Sequence, residues 1–159
     1  MKKLIGAFLL LTIIVVASAL TKDKSATMQS LEKLFHTPTV SINHQTFSVL
    51  IAKTDADKQK GLSGRKSLPK SEGMVFLFDK PDYYAFWMKD MLFPIDIIYI
   101  HNKRILTVYS NLQPPTKNMT DFNLPVVKPS EPADTVLEIN AGLAKQYNFQ
   151  TGDTVTLSL

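Results

Sequence analysis

From Val40 onward, the chain is a succession of short segments with strand-like patterning, separated by turn residues. These segments are residues 46–51, 74–78, 84–88, 95–100, 104–109, 135–139 and 154–159. Period-two alternation and short runs of apolar, aromatic or β-branched residues between turns are typical of strands. The turn residues at 43–45 and 101–103 predict two hairpins. The pattern predicts a mainly β fold, a small barrel or sandwich of short, mostly antiparallel strands.

Two short helices interrupt this pattern. The first is predicted to begin at Thr54, whose hydroxyl is placed to accept a hydrogen bond from the Asp57 amide, and to end at Gly61. The second is predicted over residues 141–147, with Asn140 as its cap.

The N-terminus has the composition of an export signal. Lys2 and Lys3 precede an apolar run over residues 4–16, which is followed by Ala17-Ser18-Ala19. A basic start, a short apolar region and an A-x-A site describe a signal peptide over residues 1–19. An uncleaved anchor is the alternative, because the apolar stretch extends to Leu20. Both interpretations predict an extracytoplasmic protein that is periplasmic, secreted or tethered to the outer face of the membrane.

The rest of the chain is predicted to be a polar tether at residues 20–38 and a single β domain at residues 39–159. The sequence contains no cysteine, so it has neither a disulfide nor a thiol nucleophile. Its basic residues are scattered, and its formal net charge is only +4. No nucleic-acid partner is therefore expected. Membrane contact is expected only through an uncleaved N-terminus, and the sequence does not predict an oligomeric state.

The segment from Phe86 to Asp96 concentrates reactive side chains, including the only tryptophan of the chain. Strand alternation places Trp87 on the same face as Tyr83. If that face points inward, Trp87 belongs to the core, which is the favoured interpretation because large aromatic residues dominate small cores. If it points outward, Trp87 forms a platform for a sugar ring or an apolar ligand, with Lys89 and Asp90 as its polar rim.

Three acids lie in or beside predicted core strands, namely Asp90, Asp96 and Glu138. A buried acid must be hydrogen-bonded, paired or partly solvated. In the structural interpretation, Asp96 holds the backbone of the adjacent turn and Glu138 pairs with Arg65 or Lys89. In the catalytic interpretation, Asp90 or Asp96 acts with Glu138 as the carboxyl pair of a hydrolase that cleaves an envelope saccharide.

The sequence contains no catalytic or metal-binding signature. Residues 61–65 lack the second glycine of a serine elbow, so Ser63 is predicted to be a turn residue. His36, His44 and His101 lack the spacing of metal ligands. No cofactor or metal is therefore predicted, and an enzymatic activity is not favoured.

The methionines have two interpretations. Met88 and Met91 form an M-x-x-M pair, and thioethers are ligands that suit Cu(I). The favoured interpretation is that Met74 and Met88 pack in the core and that Met91 is exposed.

Five of the nine prolines fall within residues 113–133. A segment of this length without periodicity is uncommon in a compact domain. It is predicted to be a functional lid or a mobile arm.

Several motifs together resemble the domain of unknown function 192 family. They are Gly-Leu-Ser-Gly-Arg at 61–65, Gly-Met-Val-Phe at 73–76, Phe-Trp-Met-Lys at 86–89, Pro-Ile-Asp-Ile at 94–97, Val-Leu-Glu-Ile-Asn-Ala-Gly at 136–142, and Gly152-Asp153. The resemblance covers roughly residues 40–159. It implies a small, predominantly β domain with a barrel-like sheet, often exported, and carries no established activity. Asp90 and Met91 stand where asparagine and threonine are usual in that family.

The leading hypothesis is an exported domain that binds a small or polymeric envelope ligand, such as a saccharide or lipid, near the Trp87–Asp96 segment. The proline-rich segment would cover this site. The candidate ligand-binding residues are Trp87, Lys89, Asp90, Asp96, Glu138 and Arg65. The alternatives are the carboxylate-dependent hydrolase and a purely structural interaction domain.

Overall fold

A computed structural model describes residues 37–159. For Phe122, only the backbone is described. The predicted signal segment, most of the tether and His36 lie outside the described residues. Within the described part, no helix has the length and apolar character needed to cross a membrane.

The described residues form a mainly β domain with two short helices, as predicted. The strands are β1 Thr39–Ile42, β2 Gln45–Ala52, β3 Glu72–Asp82, β4 Phe86–Trp87, β5 Ile95–His101, β6 Arg104–Leu112, β7 Val126–Val127, β8 Ala133–Asn140 and β9 Val155–Ser158. Helix α1 spans Asp55–Lys60 and helix α2 spans Leu143–Gln146, and a single 3-10 turn spans Asp121–Asn123.

Seven of the strands form one sheet in the order β6-β5-β8-β3-β2-β1-β9. All neighbours are antiparallel except β2 and β3, which are parallel. The sheet curls into a half-barrel. At one corner its two edges meet, because the Ile105 amide donates to the Asp153 carbonyl at 3.0 Å and the Val155 amide donates to the Lys103 carbonyl at 2.8 Å.

Each face of the sheet carries its own apolar core. One face is covered by α2 through Leu143 and Ala144, which pack with Leu137 and Ile139. The other face is covered by irregular segments rather than by a helix or a second large sheet. Its covering residues are Leu62, Leu68, Met88, Met91 and Phe93.

Local sequence signals predicted several elements correctly. The hairpin turns fall at residues 43–44 and 102–103, between β1 and β2 and between β5 and β6. Helix α1 begins with the expected capping box of Thr54 and Asp57, and Gly61 caps its C-terminus at a φ of 49°. These signals work because they act within a few residues of one another.

The prediction for the start of the second helix was wrong. Its N-cap is Gly142 rather than Asn140. The Asn140 side-chain amide instead donates to the carbonyls of Leu68 and Pro69, at 2.7 and 3.1 Å. Asn140 therefore fastens the end of β8 to the segment that leads into β3.

The proline-rich segment has more structure than its sequence predicts. It contains the 3-10 turn and β7, which pairs with β4 through Phe86 and Trp87. Residues 84–88 were predicted as one strand, but only these two residues pair, and they lie outside the main sheet. The aromatic ring of Phe86 packs edge-on against that of Phe76, with ring centroids 4.9 Å apart. The β4-β7 pair thus lies over the second face of the half-barrel.

The expected exposure of Met91 was also wrong. Met74 and Met88 are buried as predicted, and Met91 is buried too, with 5% of its surface exposed. The Met91 amide donates to the Met88 carbonyl in a tight turn, which returns the Met91 side chain to the apolar core.

Candidate functional site

Asp96 is buried and all its hydrogen bonds go to backbone amides. Oδ1 accepts from the amides of Asn111 and Gly142, at 2.7 and 2.9 Å, and Oδ2 accepts from Ala144 at 2.8 Å. The expectation that the Asp96 side chain binds backbone groups is confirmed. The amides that it binds belong to the end of β6 and the start of α2 rather than to the adjacent turn. Its carboxylate does the capping that the sequence assigned to Asn140.

Glu138 differs from Asp96 in its surroundings. It lies in the middle of β8, directly opposite Met74 of β3 and Ile97 of β5. Only 5% of its surface is exposed, and its Oε2 atom has no hydrogen-bond partner within residues 37–159. Burial raises the pKa of the Glu138 carboxyl to about 8, so the group is largely protonated at neutral pH.

The predicted pairing of Glu138 with Arg65 or Lys89 was wrong. Among the described residues, the Lys89 ammonium pairs with Asp121, and Arg65 takes part in no ion pair. Glu138 projects from the sheet centre into an apolar cluster, while both cations lie on the covering segments. Strand order decides this separation, and strand order is not readable from local sequence.

A small cavity lies above Glu138. Its volume is about 40 Å³, and its apolar lining comes from Leu62, Phe76, Phe86 and Met91. The other lining residues include Lys60, Ser63 and Trp87. Glu138 is the only acidic residue in this lining. The Glu138 carboxyl group, whose Oε2 atom has no partner among the described residues, therefore lines a space that a ligand group can enter.

Trp87 stands at the edge of this cavity and is 48% exposed. The core interpretation of Trp87 was therefore wrong, because the two-residue strand β4 lies above the sheet and not within it. The Lys89 ammonium lies 5.4 Å from the centroid of the Trp87 ring. Its hydrogen bond to Asp121 raises the pKa of Lys89 and links the Trp87 segment to the proline-rich segment.

Two backbone contacts fix the turn that carries Lys89 and Asp90. The Ser63 hydroxyl donates to the Lys89 carbonyl at 2.9 Å, and the Gly64 amide donates to the Asp90 carbonyl at 2.8 Å. Ser63 is thus a turn residue, as expected. Asp90 has a φ of 57°, a conformation that asparagine and aspartate tolerate better than most residues.

Two wider depressions adjoin the cavity. One, of about 410 Å³, is lined by Gln59, Lys60, Ser63, Trp87, Lys89 and Asp90. The other, of about 620 Å³, is lined by Leu50, Ile51, Asp57, Lys60, Gly61, Ser63, Gly64, Arg65 and Met74. Lys60 and Ser63 line both depressions and the cavity. We call this continuous surface the α1 cleft, because the end of α1 and the following turn form its middle.

The α1 cleft brings together most of the predicted site residues. Trp87, Lys89, Asp90, Arg65 and Glu138 all border it. Asp96 does not, since it faces α2 on the other side of the sheet. Sequence reasoning missed Lys60, the cation common to all three parts of the cleft. Only its position immediately before the Gly61–Arg65 motif could have indicated it.

The described residues offer little for a metal ion. No group of three or more His, Cys, Asp or Glu side chains within residues 37–159 is arranged to hold one. His101 lies at the end of β5 and contacts Asp134, with 2.5 Å between Nδ1 and Oδ2.

Comparisons with known proteins match the whole described domain. A family model described as DUF192, Uncharacterized ACR, matches residues 38–157. A crystal structure of a protein of unknown function from Novosphingobium aromaticivorans is 32% identical, with a TM-score of 0.67, over 74% of this chain and 83% of its own. A Sinorhizobium meliloti protein, named as a candidate transcription regulator, is 25% identical with a TM-score of 0.67, over 76% of this chain and 92% of its own. No curated protein matches.

Proposed function

The chain belongs to the DUF192 family of uncharacterised proteins, and we propose that this member is an exported domain that binds a cell-envelope saccharide in the α1 cleft. One observation carries the proposal. Glu138 is buried, its Oε2 atom has no hydrogen-bond partner among the described residues, and it lines a cavity whose edge is formed by a half-exposed tryptophan. A buried polar group without a hydrogen bond lowers the stability of the fold, and such groups commonly occur at binding sites.

Trp87 supplies the stacking surface of the proposed site. An exposed tryptophan offers a flat apolar face with a large contact area, which suits the apolar face of a sugar ring. The Trp87 backbone pairs with β7 and the Lys89 ammonium lies against its ring, so both contacts restrict its orientation before a ligand arrives. Such preorganisation lowers the entropy lost on binding.

The charges around the cleft favour a ligand that carries anionic groups. Lys60 and Arg65 line the cleft and form no ion pair within the described residues. Asp57 and Asp90 are the acids of the wider depressions, and Asp57 is engaged by Thr54 in the helix cap. Cations that form no ion pair suit phosphorylated or carboxylated saccharides, which are common in cell envelopes.

The sequence of residues 1–19 supports the envelope location of the ligand. A basic start, an apolar region and an A-x-A site direct a chain to export. The lack of cysteine is compatible with either an oxidising or a reducing compartment, so the leader alone carries this part of the proposal.

The sole tryptophan makes the proposal directly testable. Because Trp87 is the only tryptophan, its fluorescence reports ligand contact at the α1 cleft without labelling. We expect muropeptides or teichoic acid fragments to shift the Trp87 emission and to raise the melting temperature. The Trp87→Ala variant should lose the thermal shift. Leu92→Ala is the matched control, since Leu92 is 59% exposed but does not line the cleft. No response of the parent protein to any envelope saccharide would contradict the proposal.

A further inference from the structure

Given the saccharide-binding function proposed above, on which this step rests, we infer that the cavity above Glu138 takes the acetyl group of an acetylated sugar. The Glu138 carboxyl group donates a hydrogen bond to the acetyl carbonyl oxygen, and the acetyl methyl group packs against the apolar walls. The ligand class is thus an N-acetylated or O-acetylated saccharide.

The cavity has the right size for such a substituent. At about 40 Å³ it exceeds the roughly 10–15 Å³ that a single water needs. It is far smaller than the two depressions beside it. A group of about three non-hydrogen atoms fits this volume, whereas a whole sugar ring does not.

The lining of the cavity suits a group that has an apolar end and a polar end. Leu62, Phe76, Phe86 and Met91 form its apolar side, and a methyl group gains contact with each of them. Polar side chains line the cavity beside Glu138, so a polar atom of the ligand meets hydrogen-bonding groups there; they are Lys58, Gln59, Lys60 and Ser63.

The Glu138 carboxyl group provides a hydrogen-bond donor for a neutral acceptor. A protonated carboxyl group donates one O–H, and burial keeps Glu138 in this state at neutral pH. The carbonyl oxygen of an acetyl group is neutral and accepts hydrogen bonds.

The position of Trp87 allows the ring and its substituent to bind together. Trp87 lines both the small cavity and the adjoining depression of about 410 Å³. A sugar stacked on the Trp87 ring therefore lies next to the cavity entrance, within reach of an acetamido arm. The remaining sugars of a polymer would extend into the wider depressions.

A matched pair of oligosaccharides tests the inference. Chitotetraose and cellotetraose have the same linkage and length, and differ in carrying acetamido groups or hydroxyl groups. We expect the protein to bind chitotetraose at least about tenfold more tightly, measured by Trp87 fluorescence and by calorimetry at pH 6.5. Equal affinity for the two would overturn the acetyl assignment but leave saccharide binding in place. Absence of binding to these two, to muropeptides and to teichoic acid fragments would contradict the proposed function itself.

Two substitutions assign the preference to Glu138. Glu138→Gln keeps the size and a hydrogen-bond donor, so it should retain most of the preference for chitotetraose. Glu138→Leu removes the donor while matching the apolar surroundings of β8, so it should fold and should bind both oligosaccharides alike. Melting curves verify folding in both variants. If the folded Leu variant kept the full preference, Glu138 would not be the group that recognises the acetyl carbonyl.

Discussion

Glu138 and Asp96 lie on neighbouring strands, and their carboxyl groups project from opposite faces of the same sheet. In the register of β5 and β8, Asp96 is opposite Ile139 and Glu138 is opposite Ile97. Alternation along each strand therefore separates the two acids. Asp96 accepts hydrogen bonds from three backbone amides, whereas Oε2 of Glu138 has no partner in the described part of the chain. A hydrolase that uses these two acids as one carboxyl pair is incompatible with this arrangement.

The three hydrogen bonds of Asp96 predict a large loss of stability on truncation. Asp96→Ala leaves the amides of Asn111, Gly142 and Ala144 without their acceptor, and we expect the free energy of unfolding to fall by about 3 kcal/mol or more. Urea denaturation at pH 7 measures this loss. Asp90→Asn is the control, because asparagine suits the positive φ of that exposed position, and it should change stability by less than about 0.5 kcal/mol. Similar stabilities of the two variants would refute the capping role of Asp96.

The raised pKa of Glu138 predicts a pH-dependent stability. Folding raises this pKa from 4.5 to about 8, so between these values the folded state holds a proton that the unfolded state has released. The stability that this bound proton contributes is complete below about pH 4.5 and is lost as the pH rises to about 8. Over this range the free energy of unfolding falls by up to about 1.4 kcal/mol per pH unit.

Glu138→Gln separates this effect from other titrations. Glutamine is neutral throughout, so the variant should lose the decline in stability between pH 5 and 8 and should exceed the parent at pH 8.5. The nearby titratable groups, Lys58 and Lys60 of α1 and Tyr99 of β5, are unchanged in the variant. Denaturation curves at half-unit pH intervals provide the measurement. Parallel pH profiles for the two proteins would refute a buried neutral carboxyl group.

Trp87 and Met88 are adjacent in sequence and should respond very differently to truncation. Met88 has 2% of its surface exposed, so Met88→Ala opens a cavity in the core and should cost about 2–5 kcal/mol. Trp87→Ala removes a half-exposed ring and should cost about 1 kcal/mol. Chemical denaturation monitored by circular dichroism compares them without relying on tryptophan fluorescence. An equal or larger loss for Trp87 would place its ring in the core.

The Tyr99 hydroxyl group joins the proline-rich segment to the second face of the sheet. It lies 3.0 Å from the Val127 carbonyl and 3.1 Å from the Tyr84 carbonyl. Tyr99→Phe should therefore cost about 1–2 kcal/mol and speed hydrogen exchange at β4 and β7. Tyr109→Phe loses a hydrogen bond to Lys128 at an exposed site and should have a smaller effect on both measurements. Unchanged exchange at β7 in the Tyr99 variant would show that other contacts hold this segment.

Sequence reasoning succeeded where the deciding contacts are local. The Asn43-His44 turn and the Thr54 capping box each involve residues at most three apart, and both are present. It failed where distant segments decide the outcome. The direction of the Trp87 side chain was inferred from alternation along a predicted strand at residues 84–88. In the structure only Phe86 and Trp87 pair, and their partner is β7.

The candidate site was predictable in its members and not in its arrangement. Trp87, Lys89 and Asp90 were predicted together because they are close in sequence, and all three border one depression. The state of Glu138 depends on its position between β3 and β5, strands that are separated from it by long stretches of chain. No local pattern distinguishes this acid from Asp96, although one is fully hydrogen-bonded and the other lies beneath a cavity.

The central position of β8 also governs when the domain can form. Within the sheet, β8 joins the β1-β2-β3 unit to the β5-β6 hairpin, and the corner between β6 and residues 153–155 forms from chain that follows β8, so the half of the chain that is made first cannot join the hairpin until residue 140 is available. Sheets dominated by such distant pairings assemble slowly. Glu138 lies at this junction and is ionised in an unfolded chain at neutral pH, so joining the two halves takes up a proton. The acidity of the compartment in which this chain folds therefore sets part of the equilibrium between the open and the joined halves.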